Sequence, residues 1–231
     1  MGPDEWLLVM PDGRQAEVAS ALAERLRGRD DEIDRLYTAI KLYLTQISRE
    51  ELEAREAMGR AATGVRGMDL ADIKAFRGWQ RDAALRAKRA GFDIVYVYAG
   101  HDYLPFQFLS PRHNRRSDEY GGNLVNRVRL LREMIEDTKD AVGDTMGVAV
   151  RFSVDELRGA EGLEADKEGR EIVEMLAELP DLWDVNVAEW HNDSQTSRFA
   201  EEGYQEPFID FVKKVTSKPV VAVGRYTTPD R

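Results

Sequence analysis

From residue 69 onward the chain alternates amphipathic stretches with short apolar runs, and this alternation is what most limits the folds open to it. Asp69 is a good helix N-cap, and Ile73, Phe76, Ala83 and Ala87 follow at helical spacing toward Gly91. Phe92-Asp-Ile-Val-Tyr-Val-Tyr98 is rich in β-branched and aromatic residues and reads as a strand. A long loop is expected over 99–122, then a helix over Leu124 to Val142 stopped by Gly143. Gly147 to Phe152 reads as a second strand, Glu168 to Leu179 as a helix and Leu182 to Val187 as a third strand. Pro207 to Ser217 reads as a helix, with proline in the tolerated first turn, and Pro219 to Val223 as a fourth strand. Short, mostly apolar strands separated by helices describe a parallel sheet built from right-handed βαβ units. A doubly wound sheet and a (β/α)8 barrel both satisfy that pattern. Four strands, taken alone, slightly favour the doubly wound sheet, since a barrel needs eight.

The N-terminal part has a different character. Ile33, Leu36, Tyr37, Ile40, Leu44 and Ile47 form one apolar stripe at three- and four-residue spacing, within a helical pattern over 14–58. Ser48 and Glu51 give a capping-box signal for a second helix. The stripe needs a partner, and the charges around it fit a solvated helix face. The glycines near 60–68 mark a loop, so a helical segment is expected over 1–62 and an α/β part over 63–231.

Composition closes off several functions. A net charge of -10 and a pI near 5.0 argue against nucleic acid or an anionic membrane surface as partner. No apolar run reaches membrane-spanning length, and the acidic N-terminus lacks the pattern of a secretory signal, so a cytoplasmic location is the default expectation. With no cysteine, disulfides, thiolate zinc sites and cysteine-ligated iron–sulfur clusters are excluded, and no metal site is expected. There is no GxGxxG, P-loop or GxSxG.

The residues with chemical potential follow the strands. Tyr98 ends the first and leads into Gly100-His101-Asp102-Tyr103; Arg151 ends the second; Trp190, His191 and Asp193 follow the third; Gly224 and Arg225 follow the fourth. Parallel α/β folds bind ligands at the C-terminal ends of their strands. Each residue also has a plain structural reading: Tyr98 as a half-buried aromatic, His101 as a loop histidine, Trp190 as a core cap, Asp193 as a turn former. Arg151 resists that treatment, because a charge at the end of an apolar strand needs a partner. The basic run Arg112, His113, Arg115 and Arg116 reads as a solvated loop rather than a phosphate site.

Gly91 to Pro105, with its Tyr-Ala-Gly-His-Asp-Tyr, closely resembles the trimethylamine, dimethylamine and histamine dehydrogenase branch of the old yellow enzyme family. Phe108 to Arg127, Val148 to Asp155, Trp183 to Asp193, Thr196 to Phe199 and Lys218 to Pro229 carry the same resemblance, nearly continuous over 69–231. It implies a partial TIM (β/α)8 barrel whose four strands are roughly the fourth to seventh, with FMN at the C-terminal face. It also implies roles. Tyr98 and His101 would face substrate, Tyr103 would match the proton-donating tyrosine of the reductases, and Asp193 would be the carboxylate paired with the histidine or tyrosine. Trp190 would be an aromatic wall suited to a methylammonium by cation–π attraction. Arg151 would lie beside the flavin pyrimidine ring, with Gly224 and Arg225 also on the cofactor side. The implied chemistry is oxidation of a small amine by hydride transfer to FMN.

The chain also departs from that branch. The first three strands, and the eighth with its arginine for the FMN phosphate, have no counterpart in the matched stretch. Without cysteine, neither a thiol-attached flavin nor the branch's 4Fe–4S cluster can be present. Open sheet edges need cover, which makes self-association an expectation. The alternative function is therefore a non-catalytic interaction or scaffold protein, or an inactive fused fragment. Residues 30–52 carry a shorter resemblance, to the PhoU-like helical domain of sodium/phosphate cotransporter proteins.

Overall fold

The structure is a computed structural model that describes residues 66–187 and 200–227. The chain divides into two compact units, Met1–Gly67 and Met68–Arg231; the architecture below is that of the second. The helical expectations for 14–58, with the resemblance over 30–52, lie outside the described residues, as do Trp190, His191 and Asp193.

Helix α1 spans Leu70–Arg89. Asp69 accepts from the Asp72 N–H while the Asp72 side chain accepts from the Asp69 N–H, a reciprocal capping box that satisfies two orphan donors. Strand β1 is Ile94–Ala99, β2 Gly147–Ser153, β3 Leu182–Asn186 and β4 Val220–Ala222. Helix α2 (Leu104–Leu109) and α3 (Leu124–Val142) join β1 to β2, and α4 (Glu168–Leu176) joins β2 to β3. Asn123 caps α3, and Gly143, at φ +61°, ends it. Two single-turn helices, α5 (Glu206–Ile209) and α6 (Val212–Val215), precede β4.

Two expectations needed correction. The 99–122 loop contains α2, six residues long and opened by proline, too short for a helical period to show. The single helix expected over 207–217 is two separate turns. Lys214 N–H bonds back only three residues, to Phe211 O, and the buried Phe211 ring lies under the Arg170 guanidinium at 4.4 Å.

All three strand pairings are parallel and the spatial order is β1-β2-β3-β4, the order of the sequence. A doubly wound sheet reverses its order at a switch point, whereas a barrel adds each strand beside the last. The described sheet is thus an arc of an α/β barrel. Its two faces differ. Val97, Val148, Val150, Phe152, Trp183 and Val185 turn to the side covered by helices and belong to one apolar core with Leu130, Leu131, Met134 and Ile172. Arg77 ties α1 to α3 through Asp137 (2.7 Å) and Glu133 (2.8 Å). The alternate residues, Ile94, Tyr96, Tyr98, Arg151, Ser153, Asp184 and Asn186, point to the other face. Among the described residues no helix is long and apolar enough to cross a membrane.

Candidate active site at the strand C-termini

The open face carries its polar residues in rows set by strand register. Tyr98 pairs with Arg151, Arg151 with Asp184, and Asp184 with Val221. One step nearer the C-terminal ends, Ser153 pairs with Asn186. Parallel register alone brings together side chains more than eighty residues apart.

Tyr98 and His101 form the centre. The Tyr98 hydroxyl lies 2.6 Å from His101 Nδ1. His101 is buried and adopts φ +50°, a left-handed conformation costing a non-glycine residue about 1 kcal/mol. That strain is held by a bond from its backbone N–H to Ser153 Oγ (3.2 Å) and by contacts at both ring nitrogens. Burial pushes the Tyr98 phenol pKa up, and the nearby Arg151 opposes the shift without reversing it. Tyr98 therefore keeps its proton near neutral pH. Tyr103 stands edge-on to Tyr98, ring centroids 5.2 Å apart, and is itself exposed.

Arg151 has the partner that a strand-end charge demands. Its Nη1 donates to both Asp184 carboxylate oxygens at 2.8 Å. Asp184 also acts on Tyr96, whose pKa rises through burial and then through the neighbouring carboxylate. Asp184, Ser153 and Asn186 were not singled out from the sequence. A signal was present: Asp184 and Asn186 alternate with apolar residues in a strand read as mostly apolar, and both are buried.

Gly224 and Arg225 lie in the loop after β4 and face the 200–205 segment. Gly203 N–H donates to Gly224 O (2.7 Å), and Arg225 Nη1 donates to Ala200 O (2.6 Å). Among the described residues no hydrogen bond joins them to Tyr98, His101 or Arg151. The basic run at 112–116 is a loop, as expected, and ion pairs tie it down. Arg112 donates to Asp102 (3.2 Å) and to the buried Glu156 (3.2 Å), and Arg116 pairs with Asp118. Asp102, His113 and Glu156 come close enough together to suggest a metal, but the Arg112 guanidinium already bridges both carboxylates.

Tyr98, His101 and Arg151 thus lie together at the C-terminal side of a parallel barrel arc, and the chain belongs to the NADH:flavin oxidoreductase / NADH oxidase family, matching it over residues 29–231. The barrel is of the old yellow enzyme type. Over 166 residues the chain is 40% identical to the dimethylamine dehydrogenase of Hyphomicrobium sp. (strain x), covering 71% of this chain and 23% of the relative. Among solved structures it resembles the 6-hydroxypseudooxynicotine amine oxidase of Pseudomonas geniculata N1, at 61% identity and TM-score 0.69, over 74% of this chain and 26% of that one. It also resembles the histamine dehydrogenase of Rhizobium sp. 4-9, at 47% identity and TM-score 0.68, over 74% and 25% respectively. The chain spans about a quarter of the length of each of these relatives. The family match takes in residues 30–52, and none of these comparisons supports the PhoU-like resemblance expected there.

Proposed function

We propose that this chain supplies the substrate-side part of an FMN site in which Tyr98 and His101 hold a small amine for oxidation. The observation that carries the reading is the Tyr98–His101 contact of 2.6 Å, one register step from Arg151 on the same sheet face. Three relatives named as amine dehydrogenases or an amine oxidase support it.

The residues present fit a flavin edge. Arg151 offers guanidinium donors in a half-buried place where they suit an electron-rich ring, and Asp184 fixes their direction while damping their charge. Bound FMN would supply the hydride acceptor for the amine α-carbon. Tyr98, protonated, donates a hydrogen bond within the site, and His101 fixes the direction of that donor. Tyr103 adds an aromatic edge beside them. In this reading Trp190 is the aromatic wall for an alkylammonium, Asp193 the carboxylate that pairs with the histidine or the tyrosine, and Gly224 and Arg225 further cofactor contacts.

Titrating the purified chain with FMN tests the reading. Saturable quenching of flavin fluorescence near one FMN per chain, weakened at least tenfold in Arg151→Ala, is the expected result; amine-dependent dye reduction would then follow. Absence of binding at high FMN would end it. A second reading, self-association through the open face, is favoured by the exposure of Ile94, Tyr96 and Val221 on a sheet surface. A mass in light scattering that stays monomeric at all concentrations would remove it.

A further inference from the structure

Ser153 and Asn186 have no exposed surface, sit opposite one another in register, and are used by none of the roles above. Among the described residues their hydrogen bonds run in one direction. Ser153 Oγ accepts the His101 backbone N–H (3.2 Å) and donates its single proton to Asn186 Oδ1 (2.9 Å). The Asn186 amide is thereby turned so that Nδ2 faces His101 Nε2 at 2.5 Å. An amide NH2 can only donate, so in this orientation of Asn186 the Nε2 atom accepts, and an imidazole with Nε2 bare carries its hydrogen on Nδ1. That N–H points at the Tyr98 oxygen. The close approach depends on Gly100, where a Cβ would stand 2.8 Å from Ser153 Oγ.

We propose that Ser153 and Asn186 are positioning residues that hold His101 as its Nδ1–H tautomer, so that Tyr98 accepts from the histidine and directs its own hydroxyl proton toward the ligand side. The use of that proton on an amine rests on the function proposed above; the tautomer does not. With the opposite tautomer Tyr98 would spend its proton on His101 and meet a ligand only as an acceptor. The Ser153–Asn186 pair thus decides which kind of ligand atom, lone pair or N–H, the site prefers.

Long-range proton–nitrogen NMR of the nitrogen-labelled full chain reads the tautomer directly and needs no flavin. Only three histidines are present, and His101 is assigned by its loss in His101→Gln. The expected spectrum has a protonated Nδ1 and an unprotonated Nε2. Asn186→Asp, which places an acceptor opposite Nε2, is expected to move the proton there, and Ser153→Ala, which frees the amide to turn, to give a mixture. A wild-type ring protonated mainly at Nε2, or at both nitrogens, overturns the proposal, as does a tautomer unmoved by either substitution. Should Asn186→Asp not fold, the wild-type and Ser153→Ala spectra still decide. The expected tautomer in a chain that fails to bind FMN upholds this inference and ends the amine reading. FMN binding with the opposite tautomer does the reverse.

Discussion

The two faces of the sheet are made by the same four strands and obey different rules. The helix-covered face is closed and apolar: Trp183, Phe152, Val150 and Val185 have no exposed surface. The other face alternates a satisfied polar network near the strand C-termini with exposed Ile94, Tyr96 and Val221. On β1 position along the strand separates these zones, since Ile94 and Tyr96 precede Tyr98 on the same side, whereas Val221 lies level with Asp184 on the neighbouring β4. The covered face fixes the register, and the register then delivers Tyr98, Arg151, Asp184, Ser153 and Asn186 to one place. Stability and chemistry are therefore assigned to opposite sides, and substitutions should tell them apart.

The largest stability effect belongs to the covered face. Trp183 is fully buried, packs against Phe152 with ring centroids 6.4 Å apart, and donates from Nε1 to Ala177 O (3.0 Å). Trp183→Ala is expected to cost about 3–5 kcal/mol in urea unfolding, from lost burial and the cavity left behind. A loss below about 1 kcal/mol would mean that this face does not set the fold. On the open face the corresponding test is Asp184→Ala. It removes the buried Asp184 carboxylate from Arg151, which stays charged, and should cost about 2 kcal/mol, the range for a hydrogen bond to a charged group. Restoring an apolar match with Arg151→Met in the same chain should return part of that loss, since a removed pair is less costly than a broken one. Failure of the double variant to recover would show that Arg151 contributes packing of its own.

How much of this was readable beforehand differs between the faces in the same way. Helix starts and stops were legible because caps are local: Asp69 before α1 and Gly143 after α3 act on residues within one turn. The four strands were legible as apolar runs, and Tyr98, His101 and Arg151 as functional types at their ends. The polar pairs between strands were not. Arg151–Asp184 and Ser153–Asn186 each join residues 33 positions apart, and nothing in a single sequence specifies which residues meet across a parallel ladder. The ion pairs of the 112–116 loop were equally unreadable, because Asp102 and Glu156 lie 10 and 44 positions from Arg112. Barrel against doubly wound sheet was also a matter of spatial order, which pattern alone leaves open.

The smallest expected effect concerns protons rather than kilocalories, and it tests whether the open face works as an electrostatic unit. Burial raises the Tyr98 pKa above the ordinary tyrosine value of 10.0, and Arg151 pulls it back. The difference in tyrosinate absorbance between the wild type and Tyr98→Phe should place the Tyr98 midpoint above pH 10. In Arg151→Ala that midpoint should move higher still, because burial then acts unopposed. The linked stability has a definite sign. A folded pKa above the unfolded one means the folded state holds its proton more tightly, so this contribution is whole below about pH 10 and is lost as pH rises through the folded midpoint. Tyr98→Phe should accordingly lose less stability than the wild type as pH rises above about 10, with Tyr96 and Tyr120, both also raised by burial, accounting for what sensitivity remains. A Tyr98 midpoint that falls on removing Arg151 would show that the guanidinium keeps water out of the site more than it stabilises charge there, and that the open face, like the covered one, is organised chiefly by packing.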